Sequence, residues 1–129
     1  MKRALLNQRT LIVALAVGVG LLHLVTGPGY RGPWPLFVNG YLIDILLPMV
    51  MVLLMGMRGR PIVRRLPIRM GVVFGVGAAV ETLQGFGVRL LGATFDPLDY
   101  AMYALGVGLA ALLERYVLSR LPVGAADRE

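Results

Sequence analysis

Apolar residues fall into four long runs, over 10–26, 38–57, 68–91 and 98–118, and glycine, proline and arginine gather in the short stretches between them. At 1.5 Å of helical rise per residue, each run is long enough for a hydrocarbon core of roughly 30 Å. The first two runs are joined by Gly27-Pro28-Gly29-Tyr30-Arg31-Gly32-Pro33-Trp34-Pro35, the next two by an arginine-rich turn over 58–67, and the last two by a short stretch over 92–97. Glycine and proline in these joints interrupt a helical pattern. The tail after Leu121 is too short to fold alone, so the pattern predicts an all-α protein: one integral membrane domain over 1–129 forming a four-helix transmembrane bundle. Ala14-Leu15-Ala16 has the small-residue pattern of a signal-peptidase site, but cleavage there would leave too short an apolar region, so the first run is read as an uncleaved span.

Composition supports this solvent assignment. Of 129 residues, 57% are hydrophobic and 16% charged, more apolar and less charged than a soluble domain of this size. Without cysteine, disulfides, thiolate nucleophiles and cysteine metal sites are excluded, and the single His23 cannot build a histidine cluster, so no metal or other cofactor is expected. The net charge of +6 is explained by topology and not by nucleic acid. In a four-span arrangement Lys2, Arg3, Arg9, Arg58, Arg60, Arg64, Arg65, Arg69, Arg115, Arg120 and Arg128 fall on one side, against Arg31 and Arg89 on the other. Basic residues are retained in the cytoplasm, which puts both termini there and Trp34, Phe37 and Tyr41 in an outer aromatic belt.

Polar side chains inside the runs are the candidates for function, because an ionisable group in hydrocarbon costs several kcal/mol by most measures. Glu81 lies near the middle of the third run, with Gln84 one turn further on nearly the same face. Arg89, two helical turns past Glu81, is the basic residue nearest the acidic group and the expected partner of Asp99 or of an anionic ligand; anchoring at the interface is the plainer alternative. Asp96-Pro97-Leu98-Asp99 reads as a helix start, with Asp96 as the cap and Asp99 in the first turn on the face that continues to Tyr103, Gly106 and Ala110. Asp44 lies about 9 Å into the second run, four residues before Pro48, where a lost hydrogen bond predicts a kink. His23 is read as an interfacial residue with one hydrogen bond. Small residues Gly71, Gly75, Ala78, Thr82 and Gly85 predict a close helix contact along the third run. Asp44, Glu81, Gln84, Arg89, Asp99 and Tyr103 are therefore expected to line one outward-opening polar pocket, with the cytoplasmic half of the spans nearly free of such groups.

The series Glu81-x-x-Gln84, Leu90-Leu91-Gly92-Ala93-Thr94-Phe95-Asp96 and Asp99-x-x-x-Tyr103-x-x-Gly106, with Gly40-Tyr41-Leu42-Ile43-Asp44 as a weaker echo, resembles the VanZ-like membrane proteins and a related small bacterial family of unknown function. VanZ-like proteins commonly carry Asn where this chain has Tyr103, and a longer glycine pattern after Gly106, which places the chain nearer the second family. The resemblance implies a multi-pass protein of the bacterial inner membrane with a role in the cell envelope. The pocket is expected to bind a membrane lipid or lipid-linked precursor by its headgroup. Alternatives are a proton-coupled carrier built on Glu81, which with four spans requires a homo-oligomer, and a structural subunit whose polar groups are assembly glue. An intramembrane enzyme using two carboxylates ranks last, since no nucleophile, metal cluster or phosphate loop accompanies them.

Overall fold

The computed structural model describes residues 6–27, 29–57, 60–90 and 94–123. Lys2, Arg3, Pro28, Arg58, Arg128 and the Leu91-Gly92-Ala93 part of the resemblance lie outside the described residues. The protein is all-helical, with helices α1 (Gln8–Val25), α2 (Pro35–Gly40), α3 (Leu42–Met57), α4 (Leu66–Gly85) and α5 (Leu98–Tyr116), followed by a 3-10 turn (Leu118–Arg120). No strand occurs among the described residues.

Three stretches, Gln8–Val25, Leu66–Gly85 and Leu98–Arg120, are helical, long and apolar enough to cross a membrane. The expected second span differs. It breaks at Tyr41, leaving the short α2 and the 16-residue α3, whose length is about 24 Å at helical rise. Trp34 begins α2 in a left-handed conformation, at φ 50° and ψ 54°, a geometry costing a bulky residue on the order of 1–3 kcal/mol. Trp34 is 79% exposed, so it contributes little to the interior. Large apolar side chains also remain exposed along the long helices, among them Val13, Val17 and Leu21 of α1, Val72 and Val76 of α4 and Leu105, Leu109 and Leu112 of α5. Apolar exposure on this scale marks contact with lipid or partner and not with water.

α3 is the axis of the molecule. It packs on α1, α4 and α5, and its most extensive contact is with α5. Val52 and Leu53 at its centre are shielded completely or almost so. The contact is close because Gly106 of α5 has no side chain: a Cβ there would collide with the Ile45 carbonyl and lie 3.2 Å from Pro48 Cβ. The bare Gly106 backbone thus packs on the Ile45 carbonyl and the Pro48 ring. The expected α5 face holds, with Gly106 and Ala110 buried beside Val107.

On α4 the small-residue stripe meets neighbours only in its second half, where Thr82 Oγ1 lies 2.8 Å from the Tyr100 hydroxyl and Gly85 lies under the Phe95 ring. Gly71 and Gly75 have open space where a side chain would go. Arg69, Val73 and Glu81 are the buried residues of the helix, and Gly77 lies between them under the Tyr103 ring, whose Cδ2 would be 2.9 Å from a Cβ. Spacing by four residues puts all of these on one stripe. α1 and α4 both flank α3 yet share no packed interface, which leaves a wedge between them.

Candidate functional site

Four short bonds tie the end of the molecule that carries the acids. Asp96 accepts from the Leu98 N–H at 2.9 Å through Oδ1 and from the Tyr41 hydroxyl at 2.8 Å through Oδ2. Its own N–H donates to Glu81 Oε1 at 2.6 Å, and its carbonyl accepts from the Asp99 N–H at 3.0 Å. The N-cap position of α5 is Pro97, not Asp96 as expected, but the Asp96 carboxylate still meets the first N–H of the helix from one residue earlier. It also joins the start of α3, the end of α4 and the start of α5, which the sequence did not disclose. Phe95 supports the joint, its ring lying on Gly85 and edge-on to Tyr100 with centroids 6.3 Å apart.

Glu81 is 1% exposed. The Asp99 carboxyl and the Tyr103 hydroxyl both come within interaction range of it, and Asp44 and Asp96 lie close enough for their charges to act on the same cluster. One Asp99 oxygen, Oδ1, is buried with no hydrogen-bond partner. No group of residues suited to holding a metal ion occurs among the described residues.

Arg89 does not join this cluster. α4 stops at Gly85, about one helical turn short of the point at which Arg89 would project along the helix, and the chain then turns through Gly87 at φ 83°. The turn satisfies the last carbonyls: Gly87 N–H donates to Gln84 O at 2.9 Å and Val88 N–H to Leu83 O at 3.0 Å, the paired bonds of a Schellman cap. Arg89 follows on the exposed loop and forms no ion pair with Asp99. Gln84 holds that loop by donating to Leu90 O at 2.6 Å.

A cavity of about 590 Å³ fills the wedge between α1 and α4. Its walls are mainly aliphatic, with Val19, Leu54, Val73 and Val76 among them, and its polar lining comes from His23, Asp44, Gln84 and Tyr103. Read along the helices, those four residues all lie towards the acid-rich end, while Leu54 lies ten residues further along α3, about 15 Å away at helical rise. Of the six expected pocket residues, Asp44, Gln84 and Tyr103 line this cavity; Glu81 and Asp99 stand behind it at the α4–α5 contact; Arg89 is outside. The hollow is therefore largely apolar with a polar end, not a polar hollow throughout.

The opposite half of the spans was expected to be nearly free of polar groups, and it is not. Arg69 is 2% exposed. Its Nη2 donates to both oxygens of Glu114, at 2.7 and 2.8 Å, and its Nη1 to the Val52 carbonyl at 2.8 Å. The guanidinium lies against the bare backbone of Gly56, where a Cβ would come 2.8 Å from Cζ. The third run, 68–91, already contains Arg69, but it is counted there only among the basic residues of the cytoplasmic side and given no partner; its position after Pro67 at the start of α4 is the available signal that it belongs to the helix. Pairing with a carboxylate through one nitrogen and with a backbone carbonyl through the other accommodates the arginine away from water.

Protein-family models, curated proteins and solved structures were compared with the chain, and none matches.

Proposed function

We propose that this is a multi-pass protein of the bacterial inner membrane that holds an amphiphilic cell-envelope component in the wedge between α1 and α4. The carrying observation is the cavity: about 590 Å³, aliphatic along its length, with His23, Asp44, Gln84 and Tyr103 gathered towards one end. Small-molecule sites have this character, a mostly apolar enclosure with a few polar groups fixing orientation. The aliphatic part receives a chain, and the hydroxyl, amide and carboxyl groups receive a headgroup able to donate hydrogen bonds. The acids behind the cavity and the distance of Arg89 favour a headgroup bearing hydroxyl or amine groups over a purely anionic one. The resemblance to VanZ-like proteins accords with an envelope role.

In this reading α3 crosses the membrane with the three longer spans and both termini are cytoplasmic. Support comes from the distribution of charge: Arg9, Arg60, Arg64, Arg65, Arg69, Arg115 and Arg120 gather at one end of the long helices, with Arg31 and Arg89 at the other. In sealed, right-side-out spheroplasts, a single cysteine replacing Ser119 is expected to resist a membrane-impermeant maleimide, while one replacing Arg31 reacts. The reverse labelling pattern contradicts the orientation.

Native mass spectrometry of the protein released from its host membrane tests the binding reading. The wild type is expected to carry a discrete co-purified amphiphile, reduced at least fivefold in an Asp44→Asn, Gln84→Ala variant that elutes and melts as the wild type does. Equal occupancy in the two proteins argues against these residues as the headgroup site.

A further inference from the structure

The polar end of the wedge between α1 and α4 is one-sided in its hydrogen-bonding chemistry. Asp44 is half-buried on the cavity wall. Among the described residues its carboxyl accepts no hydrogen bond and forms no ion pair. The neighbouring acids differ: Asp96 is met by the Tyr41 hydroxyl and the Leu98 N–H, Glu81 by the Asp96 N–H, and Asp99 comes within interaction range of Glu81. Asp44 is therefore the acid that faces the hollow without a donor from the protein. Its oxygens are within reach of a ligand, since the sealed and unpaired side-chain atoms of the described residues are Arg69 Nε and Asp99 Oδ1.

Gln84 and Tyr103 add acceptors to the same wall. Gln84 commits its amide nitrogen to the Leu90 carbonyl, a group that can only accept, and its Oε1 receives no hydrogen bond among the described residues. The Tyr103 hydroxyl has the Glu81 carboxyl within range as acceptor for its single proton, so its oxygen keeps lone pairs to offer. His23, the other polar residue of the lining, forms no ion pair with Asp44. Arg31 and Arg89 stand at exposed loop positions and pair with none of these acids. No basic side chain of the described residues thus answers Asp44, and a carboxylate in apolar surroundings calls for a cation held close.

We propose that the amphiphile held in the wedge, on the reading given above, carries a primary ammonium group that pairs with Asp44 and donates its remaining hydrogens to Gln84 Oε1 and the Tyr103 hydroxyl oxygen. An ammonium group has three N–H donors and no acceptor, which matches a wall made of one carboxylate and two neutral acceptors. A hydroxyl brings one donor and no charge, so it leaves acceptors unanswered. A carboxylate or phosphate alone sets like charge against Asp44. The aliphatic walls at Val19, Leu54, Val73 and Val76 take the chain attached to the amine.

The test uses the full chain in detergent micelles near neutral pH, with hexadecylamine and hexadecanol as probes of one chain length and native mass spectrometry as the readout. Each probe enters the micelle alike whichever protein is present, so the ratio of the two occupancies, compared between proteins, reports the site. The wild type is expected to favour hexadecylamine at least tenfold. Asp44→Asn, which keeps the shape of the side chain and removes its charge, is expected to lose that preference while still holding hexadecanol. Equal uptake of both probes by the wild type, or a preference that survives in Asp44→Asn, overturns the ammonium assignment and leaves the wedge as an amphiphile site. Uptake of neither probe by the wild type overturns the amphiphile reading with it. Should the variant not fold, the wild-type ratio alone decides.

Discussion

Single glycines in this protein do opposite things depending on what faces them. Gly106 is a site of backbone contact: a methyl group there meets the Ile45 carbonyl, which cannot swing away as a side-chain tip could. Gly75 has nothing within 4 Å of a built Cβ. Gly106→Ala is therefore expected to lower stability by about 1–3 kcal/mol through overpacking, and Gly75→Ala to be neutral or to stabilise by up to about 1 kcal/mol through the helical preference of alanine. Reversible unfolding in mixed micelles measures both, and equal effects would contradict the assigned packing. At this scale the sequence was a poor guide to the first half of α4, since Gly71 and Gly75 resemble a helix contact but face outward, whereas Thr82 and Gly85 of the same stripe meet Tyr100 and Phe95. It was a better guide to α5, where Gly106 and Ala110 lie on the predicted face. Spacing identifies which residues share a face; it does not say which face meets a neighbour.

At the scale of the helix, the ends matter more than the lengths. α4 stops at Gly85 because Gly87 adopts a positive φ and the two cap bonds close behind it. The clue was present in the sequence, as glycine just past a helix is a stop signal, but the apolar run continues to Leu91 and hides the end. Running α4 on to that point placed Arg89 on the helix and so beside the acids. The same cap brings Gln84 to Leu90. Gly87→Ala is expected to lose about 1 kcal/mol from the strain of a side chain at positive φ, and to loosen the 86–97 connection. Faster hydrogen exchange at Val88 and Asp96 than in the wild type checks this; unchanged protection at both would show that the cap does not control the connection. The helix start at Asp96-Pro97 was legible, one residue out at the cap position. Its links to Tyr41 and Glu81 were not, because nothing in local spacing reports a contact between residues 55 apart in the chain.

Across the whole molecule, charge is sorted along the helices. Acids gather at one end around Glu81, and the Arg69–Glu114 pair with its neighbouring arginines marks the other. Glu81 and Arg69 occupy the same stripe of α4, twelve residues and about 18 Å apart, each buried against α5 or α3. The sequence disclosed the helical class and the acidic end. The buried pair stayed hidden because Arg69, at the start of the third run, is counted only by its charge and side of the membrane, and the aliphatic extent of the expected pocket stayed hidden because it depends on which helices fail to pack. The wedge exists since α1 and α4 both lean on α3 and not on each other. Two glycines of α1 provide a matched probe of it: Gly20 lines the cavity and Gly18 does not, and neither has an atom within 4 Å of a built Cβ. Native mass spectrometry of co-purified amphiphile in the wild type, Gly20→Leu and Gly18→Leu compares filling the hollow with adding the same side chain outside it. The account predicts at least a tenfold loss of bound amphiphile in Gly20→Leu and wild-type occupancy in Gly18→Leu. Equal occupancy in all three proteins, or none in the wild type, would contradict it.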